Sequence, residues 1–294
     1  MTAANQTVTR FAPSPTGFLH LGHAYSALFA HEKAGNRFLL RIEDIDGGRA
    51  RPEFEAAIRE DLAWLGLRWE EPARRQSDHM DDYRAALDRL DARGLLYPCF
   101  CTRKEIRAEI EESGFAPHDI PQGPDGLVYP GTCRALTAKE RQQRWAEGTP
   151  FALRLDMAKA VDAAGSLLWT DADQGETAAQ PDIFGDVVLA RKDTPASYHL
   201  AVTVDDHLQG VTLVTRGEDL FAATHVHRLL QALLELDTPS YHHHRLLTGD
   251  DGEHLAKRKQ STPIRSLREA GKTPEDVRAL AGFEHWSPPS CKGC

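Results

Sequence analysis

The chain has 294 residues, of which 41% are hydrophobic and 27% are charged, as in an ordinary globular protein with a sizeable core. Its 35 basic and 44 acidic residues give a net charge of −9, which argues against general nucleic-acid binding through a basic surface. No apolar run approaches the roughly 18 residues that span a bilayer, and the polar residues 1–9 lack the apolar core of a signal peptide. We therefore expect one large or two modest domains in the cytoplasm.

The first strand, loop and helix carry the most informative pattern in the chain. An apolar run at 8–12 predicts a strand, the prolines and glycine after it predict an extended loop, and a helical pattern covers 21–35. His20 and His23 then lie on one face at the helix start, where backbone N–H groups and the helix dipole favour an anion. Gly22 leaves room for a flat ring against the backbone. This arrangement suits a nucleotide triphosphate.

The rest of the chain predicts alternating strands and helices. The first part has a strand at 37–43 and helices at 52–65 and 80–93. The middle part has two short helices begun by capping boxes at 102–105 and 137–140, with an irregular loop at 113–132 between them. The last part has strands at 186–192 and 211–215, a helix at 219–236 and a last helix at 273–281. Residues 197–207 fit either a helix or a strand. The Tyr-His-His-His run at 241–244 is predicted to be packing or solvated surface rather than a metal site. The opening strand–helix–strand is of nucleotide-binding type.

Four motifs give the chain a family resemblance. Residues 10–23, followed by Arg-Ile-Glu-Asp-Ile-Asp at 41–46, strongly resemble the glutamyl-tRNA synthetase branch of the class I aminoacyl-tRNA synthetases. The His-Leu-Gly-His segment at 20–23 stands where that family has its HIGH motif. The resemblance continues at 216–220 and at 254–258, where His-Leu-Ala-Lys-Arg looks like the KMSKS loop. The motifs follow the family's order along most of the chain.

The resemblance implies an α/β fold, a Rossmann-like class I synthetase catalytic domain. Its first half would be 1–94, an inserted zinc-containing acceptor-type subdomain 95–180, its second half 181–247, and the KMSKS-like loop with short C-terminal helices 248–294. The residues after Lys259 are too few for a helical anticodon-binding domain. The chain therefore resembles the truncated paralogues, the glutamyl-queuosine tRNA(Asp) synthetases.

That family activates glutamate with ATP in the absence of tRNA and transfers it to queuosine at the wobble position of tRNA(Asp). The resemblance implies that His20, His23 and Lys257 are catalytic and that the same three residues, with Gly22, bind ATP. Lysine is a flexible point charge suited to a departing phosphate. His254 and Ala256 depart from the family's loop pattern, which puts the role of the loop's first lysine in doubt but retains the second.

Selecting glutamate requires a cation for its side-chain carboxylate and an anion for its ammonium. Arg10 can bind a carboxylate bidentately, and Glu43 can take the ammonium. By resemblance the pocket also includes Ala12, Ser14, Tyr198 and Arg216. An alternative is that the two arginines pair with Glu43 or Asp44 as structural salt bridges.

Three cysteines lie among turn residues and offer most of a tetrahedral zinc site. Cys99, Cys101 and Cys133 would supply three thiolates, and the fourth ligand could be His118, Tyr129 or water. Ligand chemistry favours the histidine, whereas resemblance to the shorter relatives favours Tyr129, four residues before the last cysteine. The alternative is a group of buried cysteines without a metal.

Two other functions stay open from the sequence. One is a minimal synthetase that charges the 3′ end of a tRNA, and the other is an inactive tRNA- or zinc-binding module. For the favoured function the expected partners are glutamate, ATP with Mg²⁺, one structural zinc ion, and the queuosine-bearing anticodon loop of tRNA(Asp). We expect the protein to be a monomer and to contact tRNA through local basic residues, chiefly those at 257–268.

Overall fold

The computed structural model describes residues 7–35, 37–112, 122–194, 196–247 and 262–288. Five residues named above lie outside these ranges: His118, His254, Ala256, Lys257 and Lys259. Within the described ranges, no helix is both long enough and apolar enough to cross a membrane.

The first part of the chain forms a parallel sheet with helices. Its elements are β1 (Val8–Phe11), α1 (Leu21–Lys33), β2 (Arg37–Ile42), α2 (Pro52–Trp64), β3 (Glu70–Arg75) and α3 (Met80–Ala92), and the strand order is β1-β2-β3. The predicted elements here match within two residues. The sequence did not predict β3, because Glu-Glu-Pro-Ala-Arg-Arg has no alternation of apolar and polar residues. Pairing with β2 holds it in place, aided by an Arg37–Glu70 ion pair at 2.8 Å.

The middle part is built from short elements. They are β4 (Leu96–Cys99), α4 (Arg103–Glu112), β5 (Gln122–Gly123), β6 (Gly126–Leu127), α5 (Ala138–Ala146), β7 (Ala152–Leu155), α6 (Met157–Ala164), β8 (Leu168–Asp171) and β9 (Gly175–Ala178). Both predicted capping boxes are present, with Thr102 and Thr137 each accepting a hydrogen bond from a glutamate N–H three residues on. The described part of the loop predicted at 113–132 contains the antiparallel β5–β6 pair.

The last part comprises β10 (Val188–Ala190), α7 (Tyr198–Leu208), β11 (Leu213–Gly217), α8 (Ala223–Leu233), β12 (Ser240–His244), α9 (Ile264–Glu269) and α10 (Pro274–Leu280). The ambiguous stretch at 197–207 is therefore helical. The helix predicted at 219–236 was too long, because a 3₁₀ turn at Glu218–Leu220 precedes α8. The strand predicted at 211–215 lies two residues later, at β11.

Two sheets meet beside β1, and their junction positions the site. β11 pairs in parallel with β12 in the order β11-β12-β8-β9, and the Thr212 N–H donates to the Val8 carbonyl at 3.0 Å. The chain therefore leaves β1 on one side towards β2 and returns on the other side at β11. Ligands of open α/β sheets bind at such a reversal, outside the carboxyl ends of the strands.

The predicted four-segment division into domains stays a prediction, although strand pairing links its segments. β10 joins β7 and β4 in the order β10-β7-β4, so one sheet combines strands from the predicted insertion and from the predicted second half. β8 pairs with β12 through Tyr241 and Asp171.

Helix α1 is secured by the C-terminal helices. Leu28 and Ala27 of α1 belong to one apolar cluster with Ile264 of α9 and Val277 of α10. The Ile264 N–H donates to the carbonyl of Leu19 at 2.8 Å. The C-terminal segment therefore supports the loop from which α1 begins.

Candidate active site

A cavity of about 560 Å³ opens where β1, β2 and β11 end. Nine residues that the sequence predicted for the site line it: Arg10, Ala12, Ser14, His20, Gly22, His23, Glu43, Tyr198 and Arg216. They come from β1 and its following loop, the start of α1, the end of β2, the start of α7 and the end of β11. The fold thus brings together residues up to about 200 positions apart, while their individual roles stay predictions. The predicted Lys257 lies outside the described residues.

Arg10 is anchored beneath the cavity by an aspartate that the sequence did not single out. Its Nε lies 2.8 Å from Asp206 Oδ1, and its Nη1 donates to the Thr215 carbonyl at 2.9 Å. Arg41 Nη1 lies 2.7 Å from the same Asp206 oxygen. Burial alone would raise the pKa of Asp206, but the two guanidinium groups hold it below its usual value. The proposed pairing of Arg10 with Glu43 or Asp44 is therefore replaced by a pair with Asp206.

Glu43 is a buried carboxylate beside a buried guanidinium. One of its oxygens lies 3.1 Å from Arg41 Nη2. Burial raises the pKa of Glu43 despite the opposing attraction of Arg41 and Arg10. A substrate ammonium beside it would favour the charged form and restore a lower pKa.

The two histidines at the start of α1 cap the helix with their own rings. His20 Nδ1 accepts from the Gly22 N–H at 3.1 Å, and His23 Nδ1 accepts from the His20 N–H at 3.2 Å. A Cβ at Gly22 would lie 3.1 Å from His20 Cε1, so the glycine makes room for that ring.

Both of these imidazoles are neutral hydrogen-bond donors. Burial lowers the pKa of His20, and burial together with His20 lowers the pKa of His23 to about 3. Because each Nδ1 accepts a backbone hydrogen bond, each ring carries its proton on Nε2. The site therefore offers two N–H groups and no imidazolium charge.

Arg216 is held by neutral side chains. Its Nε donates to His243 Nε2 at 3.1 Å, its Nη1 donates to His227 Nδ1 at 3.1 Å, and its Nη2 donates to Thr224 Oγ1 at 2.5 Å. Among the described residues no carboxylate forms an ion pair with it, so the alternative of a salt bridge to Glu43 or Asp44 is wrong. His243 belongs to the run predicted as packing or surface. No local pattern points to His227, because its contact with Arg216 depends on how α8 packs.

The described chain borders the cavity on both sides of residues 248–261. Leu246 and Leu247 line the cavity, and Pro263 forms a bridge with His20.

The three cysteines of the middle segment lie together with Tyr129. Their sulfur atoms all lie within 4.8 Å of one another, and this is the one group of candidate metal ligands found in the described residues. Cys101 Sγ lies 3.3 Å from Cys133 Sγ and 3.6 Å from Tyr129 Oη. Tyr129 Oη also accepts from the Cys133 N–H at 2.8 Å.

This donor set fits a zinc ion. Zinc–sulfur bonds of about 2.3 Å in a tetrahedron place sulfur atoms about 3.8 Å apart, which is compatible with the observed spacing. Burial raises the pKa of the Cys101 thiol to about 12, a cost that a bound metal would reverse because it binds the thiolate. Burial also acts against ionisation of Cys133, but hydrogen bonds from Tyr129 and the Phe100 N–H lower its pKa.

The sequence is similar to those of known tRNA synthetases. Residues 6–293 match the family of class I tRNA synthetases (E and Q), catalytic domain. A glutamyl-Q tRNA(Asp) synthetase of Rhodobacter capsulatus is 49% identical over 94% of this chain and all of that protein. A glutamate–tRNA ligase of Aquifex aeolicus is 40% identical over 96% of this chain and 58% of that protein.

A solved structure has the same fold. A glutamate tRNA ligase from Elizabethkingia meningosepticum, in complex with its amino acid, superimposes with a TM-score of 0.76 at 28% identity. The alignment covers 98% of this chain and 62% of that one. The predicted α/β class and synthetase catalytic fold are therefore confirmed. The chain belongs to the class I tRNA synthetase (E and Q) catalytic-domain family, and it is a synthetase-like ligase.

Proposed function

We propose that this protein activates glutamate with ATP without needing tRNA and transfers it to queuosine at the wobble position of tRNA(Asp). The observation that supports the activation step is that one cavity is lined by Arg10, Glu43, Arg216 and the histidine pair. The choice of acceptor rests on the alignment with the Rhodobacter capsulatus protein over its whole length.

In this proposal, protein groups of opposite charge bind the side-chain carboxylate and the ammonium group of glutamate. Arg216 and Arg10 supply the buried cations, and Glu43 supplies the anion. Tyr198, at the start of α7, has a hydroxyl beside the Arg216 guanidinium, while burial raises its pKa, so it stays a neutral hydrogen-bonding group. Arg10 already shares its charge with Asp206, which makes Arg216 the less compensated cation of the two.

Activation forms a bond between an α-carboxylate oxygen of glutamate and the α-phosphorus of ATP. The bond from that phosphorus to the bridging oxygen breaks, and its electron pair leaves with pyrophosphate. The Nε2–H groups of His20 and His23 can donate to phosphate oxygens as charge develops on them, without having to lose or gain a proton. Mg²⁺ and the predicted Lys257 would neutralise the departing pyrophosphate. A cyclopentenediol hydroxyl of queuosine then attacks the glutamyl carbonyl carbon. The bond from that carbon to the phosphate oxygen breaks, its electron pair leaves with AMP, and the hydroxyl proton is released to solvent.

We also propose that Cys99, Cys101, Cys133 and Tyr129 hold one structural zinc ion. The thiol spacing and the phenol oxygen within 3.6 Å of Cys101 support this ligand set. His118 and a water molecule are the alternatives to Tyr129 for the fourth position. We further propose that the protein acts as a monomer.

Glutamate-dependent exchange of pyrophosphate into ATP tests the activation step. The proposal predicts exchange with glutamate and Mg²⁺ in the absence of tRNA. Exchange that requires tRNA would instead favour a minimal synthetase that charges a tRNA 3′ end. No exchange with or without tRNA would contradict activation altogether.

A further inference from the structure

Arg216 is the centre of a buried hydrogen-bond network that reaches two aspartates. The network has two branches, each of which begins at a different nitrogen of the guanidinium. Because a guanidinium can only donate hydrogen bonds, it fixes the direction of every bond further along each branch.

The first branch runs through two imidazoles to Asp125. His227 Nδ1 accepts from Arg216, so the ring's proton is on Nε2, which lies 3.1 Å from His199 Nδ1. His199 must accept there, and its Nε2–H then donates to Asp125 Oδ2 at 3.0 Å. Burial, with further contributions from Arg216 and His199, lowers the pKa of His227 well below its usual value. His227 is therefore neutral, and the hydrogen bonds place a proton of each ring on the nitrogen away from Arg216.

The second branch is shorter and ends at a fully buried aspartate. His243 Nε2 accepts from Arg216 Nε, and its Nδ1–H donates to Asp171 Oδ2 at 2.8 Å. Asp171 also accepts from the N–H groups of Asp173 and Gln174 at 3.0 and 3.1 Å, which fixes its orientation. Burial, followed by Arg216, lowers the pKa of His243 to about 4.

The arrangement orients Arg216 without neutralising it. In the described part of the chain, each aspartate of the network is separated from the guanidinium by at least one neutral ring. Arg10 and Arg41, by contrast, pair with Asp206 directly at 2.8 and 2.7 Å. Three of the five N–H groups of Arg216 are used by His227, His243 and Thr224, and the Tyr198 hydroxyl lies beside the part of the guanidinium that remains.

We propose that the two branches, Asp125–His199–His227 and Asp171–His243, are positioning residues that present Arg216 as an uncompensated cation for a ligand carboxylate. The inference rests on the proposed function and deepens it, because it names the residues that hold Arg216 in place for the side-chain carboxylate of the substrate. A carboxylate offers two acceptor oxygens and a negative charge to Arg216, whereas an amide offers one oxygen and no charge.

A pair of isosteric variants separates charge from shape. Thr224 lies in the first turn of α8, where an acidic side chain is compatible with the helix dipole. Thr224→Asp places a carboxylate against Arg216 Nη2, whereas Thr224→Asn places a neutral group of the same size there. We expect the KM for glutamate in pyrophosphate exchange to be about tenfold or more higher in the aspartate variant than in the asparagine variant, with equal KM values for ATP. Equal KM values for glutamate in the two folded variants would overturn the proposal.

The direction of the hydrogen bonds is tested in the unmodified protein. Nitrogen-15 NMR of histidine-labelled protein at neutral pH should show His243 protonated on Nδ1 and His227 protonated on Nε2, with assignments made from single His→Gln variants. A His243 protonated on Nε2, or a doubly protonated His227, would overturn the proposal.

The second branch has its own kinetic test. Asp171→Asn can present an amide N–H to His243 and force the ring's proton onto the side that faces Arg216. We expect the KM for glutamate to rise at least about tenfold, the weaker limit for a hydrogen bond to a charged group, while the KM for ATP is unchanged. An unchanged KM for glutamate in the folded variant would contradict the positioning role. Failure of the proposed function is distinguishable, because the wild-type protein would then show no glutamate-dependent exchange.

Discussion

At the residue scale, Arg10 has two roles, one in the cavity and one in the stability of the fold, and each can be measured separately. Its guanidinium lines the cavity and also pairs with the buried Asp206. Arg10→Ala should lower glutamate-dependent exchange at least about tenfold, because a hydrogen bond to a charged group is lost. It should also lower the free energy of unfolding by about 3 kcal/mol, because Asp206 loses one of its two guanidinium partners.

Arg37→Ala is the matched control for that change. Arg37 forms an ion pair with Glu70 in which the two side chains are 41% and 44% exposed, and such pairs contribute about 1 kcal/mol or less. Its replacement should leave exchange unaltered. A folded Arg10→Ala protein with the wild-type KM for glutamate would remove Arg10 from the proposed pocket.

The pKa of His23 predicts how stability changes with pH. The folded-state pKa is about 3 and the ordinary value is 6.5, so between these values the unfolded chain binds a proton that the folded chain does not. The free energy of unfolding should therefore fall as pH drops below 6.5, by about 1–2 kcal/mol at pH 5 from this residue. His23→Gln should reduce the difference between pH 7 and pH 5 in denaturant unfolding. Equal differences in the two proteins would show that His23 is not held neutral.

Apart from Tyr198, the cavity residues that the sequence predicted lie within short motifs. Arg10, His20 and His23 lie within one local pattern, so a resemblance could identify them. Asp206 could not be identified in the same way, because its partner lies 196 positions earlier in the sequence. Its role follows from the ion pair that joins α7 to Arg10 of β1 and not from any local pattern.

At the scale of elements, local sequence signals predicted where helices begin, but they did not predict which strands pair. The capping box at Thr273 begins α10 as expected, because the bonds involved lie within three residues. α7 was ambiguous because its buried residues extend around the helix, from His199 to Asp206, and leave no clear apolar stripe. β3 was missed because its stability comes from pairing with β2.

The cysteine group predicts a metal dependence for the middle segment. Protein purified without chelator should contain about one zinc per chain, and Cys101→Ser should lower that content, because neutral hydroxyls bind zinc less well than thiolates. Tyr129→Phe should weaken zinc retention against a competing chelator if the phenol oxygen is a ligand. Elemental analysis that finds no metal in the wild-type protein would contradict the zinc proposal.

Wild-type zinc affinity in Tyr129→Phe would instead assign the fourth position to His118 or water. The phenol is worth this separate test because the Cys133 N–H donates to its oxygen at 2.8 Å. That hydrogen bond would support a partly negative oxygen on a metal.

At the scale of the whole molecule, charge sets the expected strength of tRNA binding. A net charge of −9 predicts modest affinity that depends on local basic residues. Two of these residues, Arg265 and Arg268, are on α9, which directly follows Pro263, the residue that forms a bridge with His20. Anticodon-loop bases are unstacked and accessible to a protein cleft, which is the usual mode of specific RNA recognition.

The identity of the acceptor nucleoside is decided by transferring labelled glutamate to tRNA(Asp) from which the 3′ CCA end has been removed. We expect the glutamyl ester to form on this tRNA when it carries queuosine, and to be lost when queuosine is replaced by guanosine. The physical reason is that the cyclopentenediol supplies the vicinal hydroxyls that a terminal ribose would otherwise provide. Equal charging of guanosine-containing tRNA, or loss of charging when only the 3′ ribose is removed or oxidised, would contradict transfer to queuosine.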